Sequence, residues 1–163
     1  MAVRLRRKMR RLYKLLVGSH KAAADKIYTT RTKVLGGYLL AVDPASVSLG
    51  YALFHTGVLV KSGSIQAKGD IGKRLAKLTT ELKKQVEGVE IDVLAIEFLR
   101  GGVGHNYLIW SAGAVVSSIL ADHVVEVHSQ SWKKLAGAHH KKSDENDAIA
   151  IGRFVVELCK ETE

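Results

Sequence analysis

The chain of 163 residues is long enough for one domain with a buried core, and 47% of its residues are hydrophobic. Its single cysteine, Cys159, excludes an internal disulfide and favours a reducing compartment, with the thiol acting as a small apolar filler. No apolar run reaches the ~18 residues of a membrane span, and no secretory signal is recognisable, so we expect no membrane partner.

The net charge of +9 is concentrated near the N-terminus. Residues 1–36 contain 11 of the 25 lysines and arginines and one acid, whereas the remaining chain is close to neutral. Apolar residues recur with helical spacing in residues 1–17. This basic N-terminal extension predicts a polyanionic partner, and a DNA-binding arm is favoured over a mitochondrial presequence or a solvated tail. The candidate DNA contacts in it are Arg6, Arg7, Arg10 and Arg11.

The elements of the remaining chain are predicted in order from its apolar pattern. Residues 19–36 have a mixture of helix-like and loop-like sequence, and the Thr-Thr-Arg-Thr sequence at 29–32 predicts a loop. A domain is predicted to begin at residue 37. Its strands are predicted at residues 37–43, 50–55, 58–65, 91–97 and 123–129. Its helices are predicted at residues 70–86, 107–121, 130–136 and 143–159, with Ser143 as the N-cap of the last.

This order predicts an α/β fold. Three strands with short connections form an antiparallel meander, and strands joined through helices are parallel. We therefore expect a five-stranded mixed sheet, with three antiparallel and then parallel strands, flanked by helices.

Four acidic residues lie at the ends of predicted strands or at the start of the last helix. Asp43 and Glu97 end strands, and Asp144 and Asp147 share one helix face. Buried carboxylates need a counter-charge, and oxygen ligands suit Mg²⁺ or Mn²⁺. Asp43 alone could start a turn, and the helical pair could be favourable N-terminal charges. Together with Glu97 they predict a two-metal site that hydrolyses phosphodiesters.

The motifs around these acids resemble the RuvC family of Holliday junction resolvases, within the RNase H-like superfamily. AVDPASVSLGYAL is similar to the family's Asp-Pro-x-Ser followed by Gly-Tyr-Ala, and DENDAIAIG to its Asp-x-x-Asp-Ala-x-Ala-Ile. The shorter LAIE motif is less specific. The resemblance runs from about residue 38 to residue 156, and it implies an RNase H-like nuclease domain over residues 37–163. It also implies that Asp43, Glu97, Asp144 and Asp147 are catalytic metal ligands.

The resemblance further implies a homodimer that nicks two strands of a four-way DNA junction symmetrically. Each active site would use two Mg²⁺ or Mn²⁺ ions and leave 5′-phosphates. The expected location is the cytoplasm of a bacterium or of an infected host cell, or else the mitochondrial matrix. Two alternatives stay open: an RNase H-like nuclease acting in RNA processing or phage DNA packaging, and a non-catalytic nucleic-acid-binding module.

The chain departs from the family where DNA would be contacted. The interval between the fifth strand and the last helix is short, the aromatic residues after Glu97 do not have the usual offset, and the basic extension is absent from typical bacterial members. These differences favour a phage, viral or organellar branch. The candidate contacts outside the extension are Lys133, Lys134, Lys141, Lys142, Phe98 and Arg100.

Four weaker signals complete the sequence interpretation. His139 and His140 are interpreted as exposed loop residues. Trp132 is interpreted as a packing residue whose indole N–H finds a partner, and Lys133 is expected to face the acids. The predicted helix at 107–121, which is rich in small residues, is the candidate dimer surface.

Overall fold

The computed structural model describes residues 29–98 and 106–161. The strands are β1 (Tyr38–Pro44), β2 (Ser48–His55), β3 (Val58–Gln66), β4 (Ile91–Phe98) and β5 (Ala121–His128). The helices are α1 (residues 29–36), α2 (Ile71–Gln85), α3 (Asn106–Ser118), α4 (Ser129–Ala136) and α5 (Asp144–Lys160). None of these described helices is long and apolar enough to cross a membrane.

The five strands form one mixed sheet in the order β3-β2-β1-β4-β5. The first three strands are antiparallel, β4 is parallel to β1, and β5 is parallel to β4. Thr56 and Gly57 close the β2–β3 hairpin with positive φ angles of 51° and 78°, as a tight hairpin turn requires. The predicted α/β fold is therefore confirmed.

The sheet has a separate core on each face. Leu39 and Ala41 of β1 belong to the cluster that includes residues of α1, α4 and α5. Leu40 and Val42 belong to the opposite cluster, which includes residues of α2 and α3. Because successive side chains of a strand point to opposite faces, Asp43 follows Leu39 and Ala41 toward the face covered by α5.

The predicted loop at residues 29–32 is wrong, because these residues belong to α1. Tertiary contacts outweigh the weak helix propensity of threonine here. Thr30 lies 3.1 Å from the Nδ1 atom of His123, Arg31 Nε donates to the Cys159 carbonyl at 2.9 Å, and Val34 is fully buried in the core. Residues N-terminal to the predicted start of the domain thus contribute to its core.

Two smaller features concern the end of α3 and the single cysteine. Helix α3 ends at Ser118, three residues before its predicted end, because Ala121 already pairs with Ile91 in the sheet. Cys159 is buried, and this burial raises the pKa of its thiol to about 11. The thiol therefore stays protonated at neutral pH, as expected of an apolar filler.

Candidate active site

Two of the four acids come together where parallel strands end side by side. The last paired residues of β1 and β4 are Val42 and Ile96, so Asp43 and Glu97 follow at equivalent positions of neighbouring strands. Both side chains belong to residues that are only 9% exposed. The parallel pairing thus places two buried carboxylates beside each other.

Helix α5 brings a third buried acid to this position. Its first turn is capped by Ser143, whose hydroxyl accepts from the Asn146 backbone N–H at 3.1 Å. The Ser62 hydroxyl of β3 donates to Glu145 at 2.6 Å and ties this turn to the sheet. Asp147, in the same first turn, is buried, whereas Asp144 is half-buried at the rim.

Glycine at position 50 allows the start of α5 to lie directly on β2. Gly50 is the cross-strand partner of Asp43. A Cβ atom at Gly50 would lie 1.7 Å from the carbonyl oxygen of Asp144, closer than any side chain allows. Gly152 serves the same close approach further along α5, where a Cβ atom would lie 2.1 Å from the Phe54 ring. The glycine of the Gly-Tyr-Ala motif therefore has a geometric role in bringing the acids together.

The acids interact strongly. Burial, followed by the charge of Glu97 and a hydrogen bond with it, raises the pKa of Asp43 to about 8. The charges of Asp147 and Asp144 add to the same effect. Without a counter-charge, this group of carboxylates therefore retains a proton near neutral pH.

A divalent cation fits this donor set. All four side chains offer oxygen ligands, and their mutual repulsion is what a bound Mg²⁺ or Mn²⁺ ion would relieve. Within residues 29–98 and 106–161, no group of three or more His, Cys, Asp or Glu side chains already has the arrangement of a metal site. Binding would thus have to draw the carboxylates closer together.

Two residues for which the sequence predicts no catalytic role contact these acids. The buried indole of Trp132 donates from Nε1 to Glu97 Oε1 at 3.0 Å, so its expected hydrogen-bond partner is an acid of the site. The prediction that His140 is simply exposed is wrong, because its Nε2 lies 2.5 Å from Asp147 Oδ1. His140 is partly buried because the loop before α5 folds back toward Asp147. His139 is exposed, as predicted.

The candidate DNA contacts in the described residues are all exposed. They are Lys133, Lys134, Lys141 and Lys142. The side chains of Arg6, Arg7, Arg10, Arg11, Phe98 and Arg100 lie outside the described part of the structure. Lys133 places its Nζ 5.1 Å from the centre of the Trp132 ring, and this contact links it to the residue that holds Glu97.

A groove of about 1050 Å³ lies between the β2–β3 hairpin and helices α4 and α5, and none of the four acids lines it. His140, which contacts Asp147, lines the groove together with Lys141 and Arg153. Arg153 was not among the sequence candidates. Its only sequence signal is that it is the first basic residue after the four acids.

Comparison with solved structures identifies the fold. The chain aligns with Thermus thermophilus RuvC in complex with a Holliday junction substrate at a TM-score of 0.57 and 12% identity, covering 72% of this chain and 91% of that one. A second T. thermophilus RuvC structure aligns at a TM-score of 0.55 and 15% identity, covering 72% and 92%. The nuclease domain of the large terminase subunit gp2 of bacterial virus Sf6, a K428A mutant with manganese, aligns at 0.36 and 19% identity, covering 84% and 77%; that score is too low to support an argument. No protein-family model matches the sequence. At these identities the likeness establishes a RuvC-like α/β fold.

Proposed function

We propose that this protein is a metal-dependent endonuclease that resolves four-way DNA junctions. The observation that carries the proposal is the clustering of the buried acids Asp43, Glu97 and Asp147, in which burial first and the neighbouring acids next raise the pKa of Asp43 to about 8. Clustering buried carboxylates costs stability, and binding divalent cations is a function that requires it. The likeness to a RuvC structure with its junction substrate supports DNA as the polyanion.

The arrangement of the acids suggests a role for each. Asp43 interacts with all three other acids, so it would be the acid that contacts both cations. Glu97 and Asp147 would each complete one cation site, with Asp144 as a further ligand at the rim. When bound, such a pair of ions supplies activation of water on one side of the phosphate and stabilisation of the leaving oxygen on the other. The protein would hold both in a site shielded from solvent.

The basic residues around the acids support binding to a phosphate backbone. Lys141 and Arg153 line the same groove as His140, the residue that contacts Asp147. Lys133 and Lys134 are exposed on α4. Contacts of this kind give affinity without sequence specificity, since neutralising phosphates releases counterions. The basic N-terminal extension would add to the same attraction.

Symmetric nicking requires two active sites, and α3 offers a surface for a second copy of the chain. Ile109, Trp110 and Val116 are exposed on this helix by 46%, 53% and 40%. Gly113, in the middle of the same face, has open space around it. Leu120, just after the helix, is 92% exposed. An apolar face with a central glycine suits close packing of two helices, so we place the homodimer contact here.

The test is cleavage of a four-way junction in the presence of Mg²⁺, compared with duplex DNA and an RNA–DNA hybrid of the same sequence. We expect nicks in two opposed strands of the junction and little cleavage of the other substrates. The Asp43→Asn variant is the matched control, and it should bind the junction but not nick it. Preferred cleavage of the hybrid would point to another RNase H-like nuclease activity. No cleavage of any substrate would favour a binding module.

A further inference from the structure

Trp132 is a buried tryptophan whose only ring donor is directed at the candidate active site. It lies in α4 and is 1% exposed. Its Nε1–H donates to Glu97 Oε1 at 3.0 Å, across 35 residues of sequence. Because an indole has a single N–H and accepts no hydrogen bond, the whole hydrogen-bonding capacity of this ring is used to hold Glu97 Oε1.

The same ring also contacts the residue that supports a second acid. The ring centres of Trp132 and His140 are 5.5 Å apart, and the planes are inclined at 71°, which is an edge-to-face contact. His140 in turn holds Asp147 through the contact of 2.5 Å between Nε2 and Oδ1. One tryptophan thus connects the acid at the end of β4 with the acid on α5.

We propose that Trp132 is a positioning residue for the metal site: it orients Glu97 directly and Asp147 through His140. This inference rests on the proposed function, because it assigns the acids to a cation. Among the described residues the carboxylates do not yet surround a common point, so the groups that limit their rotation decide how readily they converge. Hydrogen bonds to the ligands of a metal commonly have this role, and their loss typically lowers metal affinity 10–100-fold.

The first test measures metal binding without cleavage. The Trp132→Phe variant keeps an aromatic ring in the core and removes the N–H. Titration with Mn²⁺ by calorimetry should show a dissociation constant about 10–100-fold higher than in the wild type. The Tyr38→Phe variant removes the polar hydrogen of another partly buried ring, at the opposite end of β1 from Asp43, and its dissociation constant for Mn²⁺ should equal that of the wild type.

The possible results separate the two proposals. Wild-type affinity in the Trp132→Phe variant would overturn the positioning role while leaving the metal site in place. A wild-type protein that binds no Mn²⁺ would instead overturn the proposed function and the positioning role with it.

A second measurement needs no change at Trp132 and so does not depend on how well that variant folds. The chain has two tryptophans, and therefore two indole N–H resonances, which the Trp110→Phe variant assigns. Addition of Mg²⁺ to the wild-type protein should shift the Trp132 indole resonance and leave the Trp110 resonance in place. A Trp132 resonance that stays unmoved at saturating Mg²⁺ would contradict a contact with a metal-binding carboxylate.

Discussion

Replacing Asp43 with asparagine keeps the shape of the side chain and removes its titratable proton. In the folded protein the pKa of Asp43 is raised to about 8, by burial first and by Glu97 next, from an ordinary value of 3.8. Between these two values the folded protein keeps the proton and the unfolded chain releases it. Raising the pH through this window therefore lowers the stability of the metal-free wild-type protein.

The size of this effect follows from the shift. The difference between about 8 and 3.8 is roughly four pH units, and at 1.36 kcal/mol per unit it sets an upper limit of ~6 kcal/mol. Relaxation of the site and entry of water reduce such penalties in real proteins. We therefore expect the free energy of unfolding of the wild type to fall by ~2–4 kcal/mol relative to the Asp43→Asn variant between pH 5 and pH 8.

The assay is urea unfolding in EDTA at several pH values, since chelation removes any cation that would neutralise the acids. The difference between the wild type and the variant isolates the contribution of Asp43, because the histidines titrate in both. The Asp122→Asn variant is the matched control. Lys33 lowers the pKa of Asp122, so this group stays ionised from pH 5 to pH 8. Its replacement should therefore not change how the free energy of unfolding depends on pH in this range.

Parallel stability curves for the wild type and the Asp43→Asn variant would refute this account of the buried acids. Mg²⁺ provides an independent check at pH 8. A ligand at 100 times its dissociation constant adds about 2.7 kcal/mol to the folded state. The wild type should gain stability of this order, and the Asp43→Asn variant should gain less, because it has lost a ligand of the site.

Further predictions concern the geometry of the site and its approach by DNA. The Gly50→Ala variant should lose about 1–3 kcal/mol in urea unfolding and lose cleavage, because the added methyl group meets the Asp144 carbonyl; the Gly36→Ala variant, which has open space, should not. Removal of residues 1–28 should flatten the dependence of junction affinity on salt while leaving Mn²⁺ binding unchanged. Lys141→Ala combined with Lys142→Ala should make the fall of the logarithm of junction affinity with log [salt] less steep. The slope should decrease in magnitude by roughly one unit for each phosphate that is no longer neutralised. Unchanged slopes would show that neither segment binds DNA.

The fold could be predicted because each step follows from a local rule. The alternation of apolar residues and the Thr56-Gly57 turn indicate the meander, and the helical spacing after Asp70 and Ser143 indicates the helices that these residues cap. The predicted loop at residues 29–32 is wrong because threonine has only a weak preference for helix. The helix that these residues form is stabilised by contacts with residues far along the chain. Thr30 meets His123 and Arg31 meets Cys159.

The candidate site could be predicted only in part. Asp43 and Glu97 are tied to strand ends, so topology alone brings them together. The contacts of Trp132 and His140 could not be predicted, because nothing in their local sequence indicates that either residue meets an acid. Trp132 is 35 residues from Glu97, and the His140 contact depends on how the loop before α5 folds back.

The close approach of α5 to β2 explains why the site needs more than its four acids. The sheet fixes Asp43 and Glu97, but Asp147 reaches them only because position 50, opposite Asp43, has no side chain to hold the helix away. Once the helix lies that close, the carboxylates repel one another, and the two rings of Trp132 and His140 hold one acid from each element. Gly50 permits the approach of the helix to the sheet, and Trp132 and His140 set the orientation of the acids. The negative charge that remains on the carboxylates would attract a pair of divalent cations.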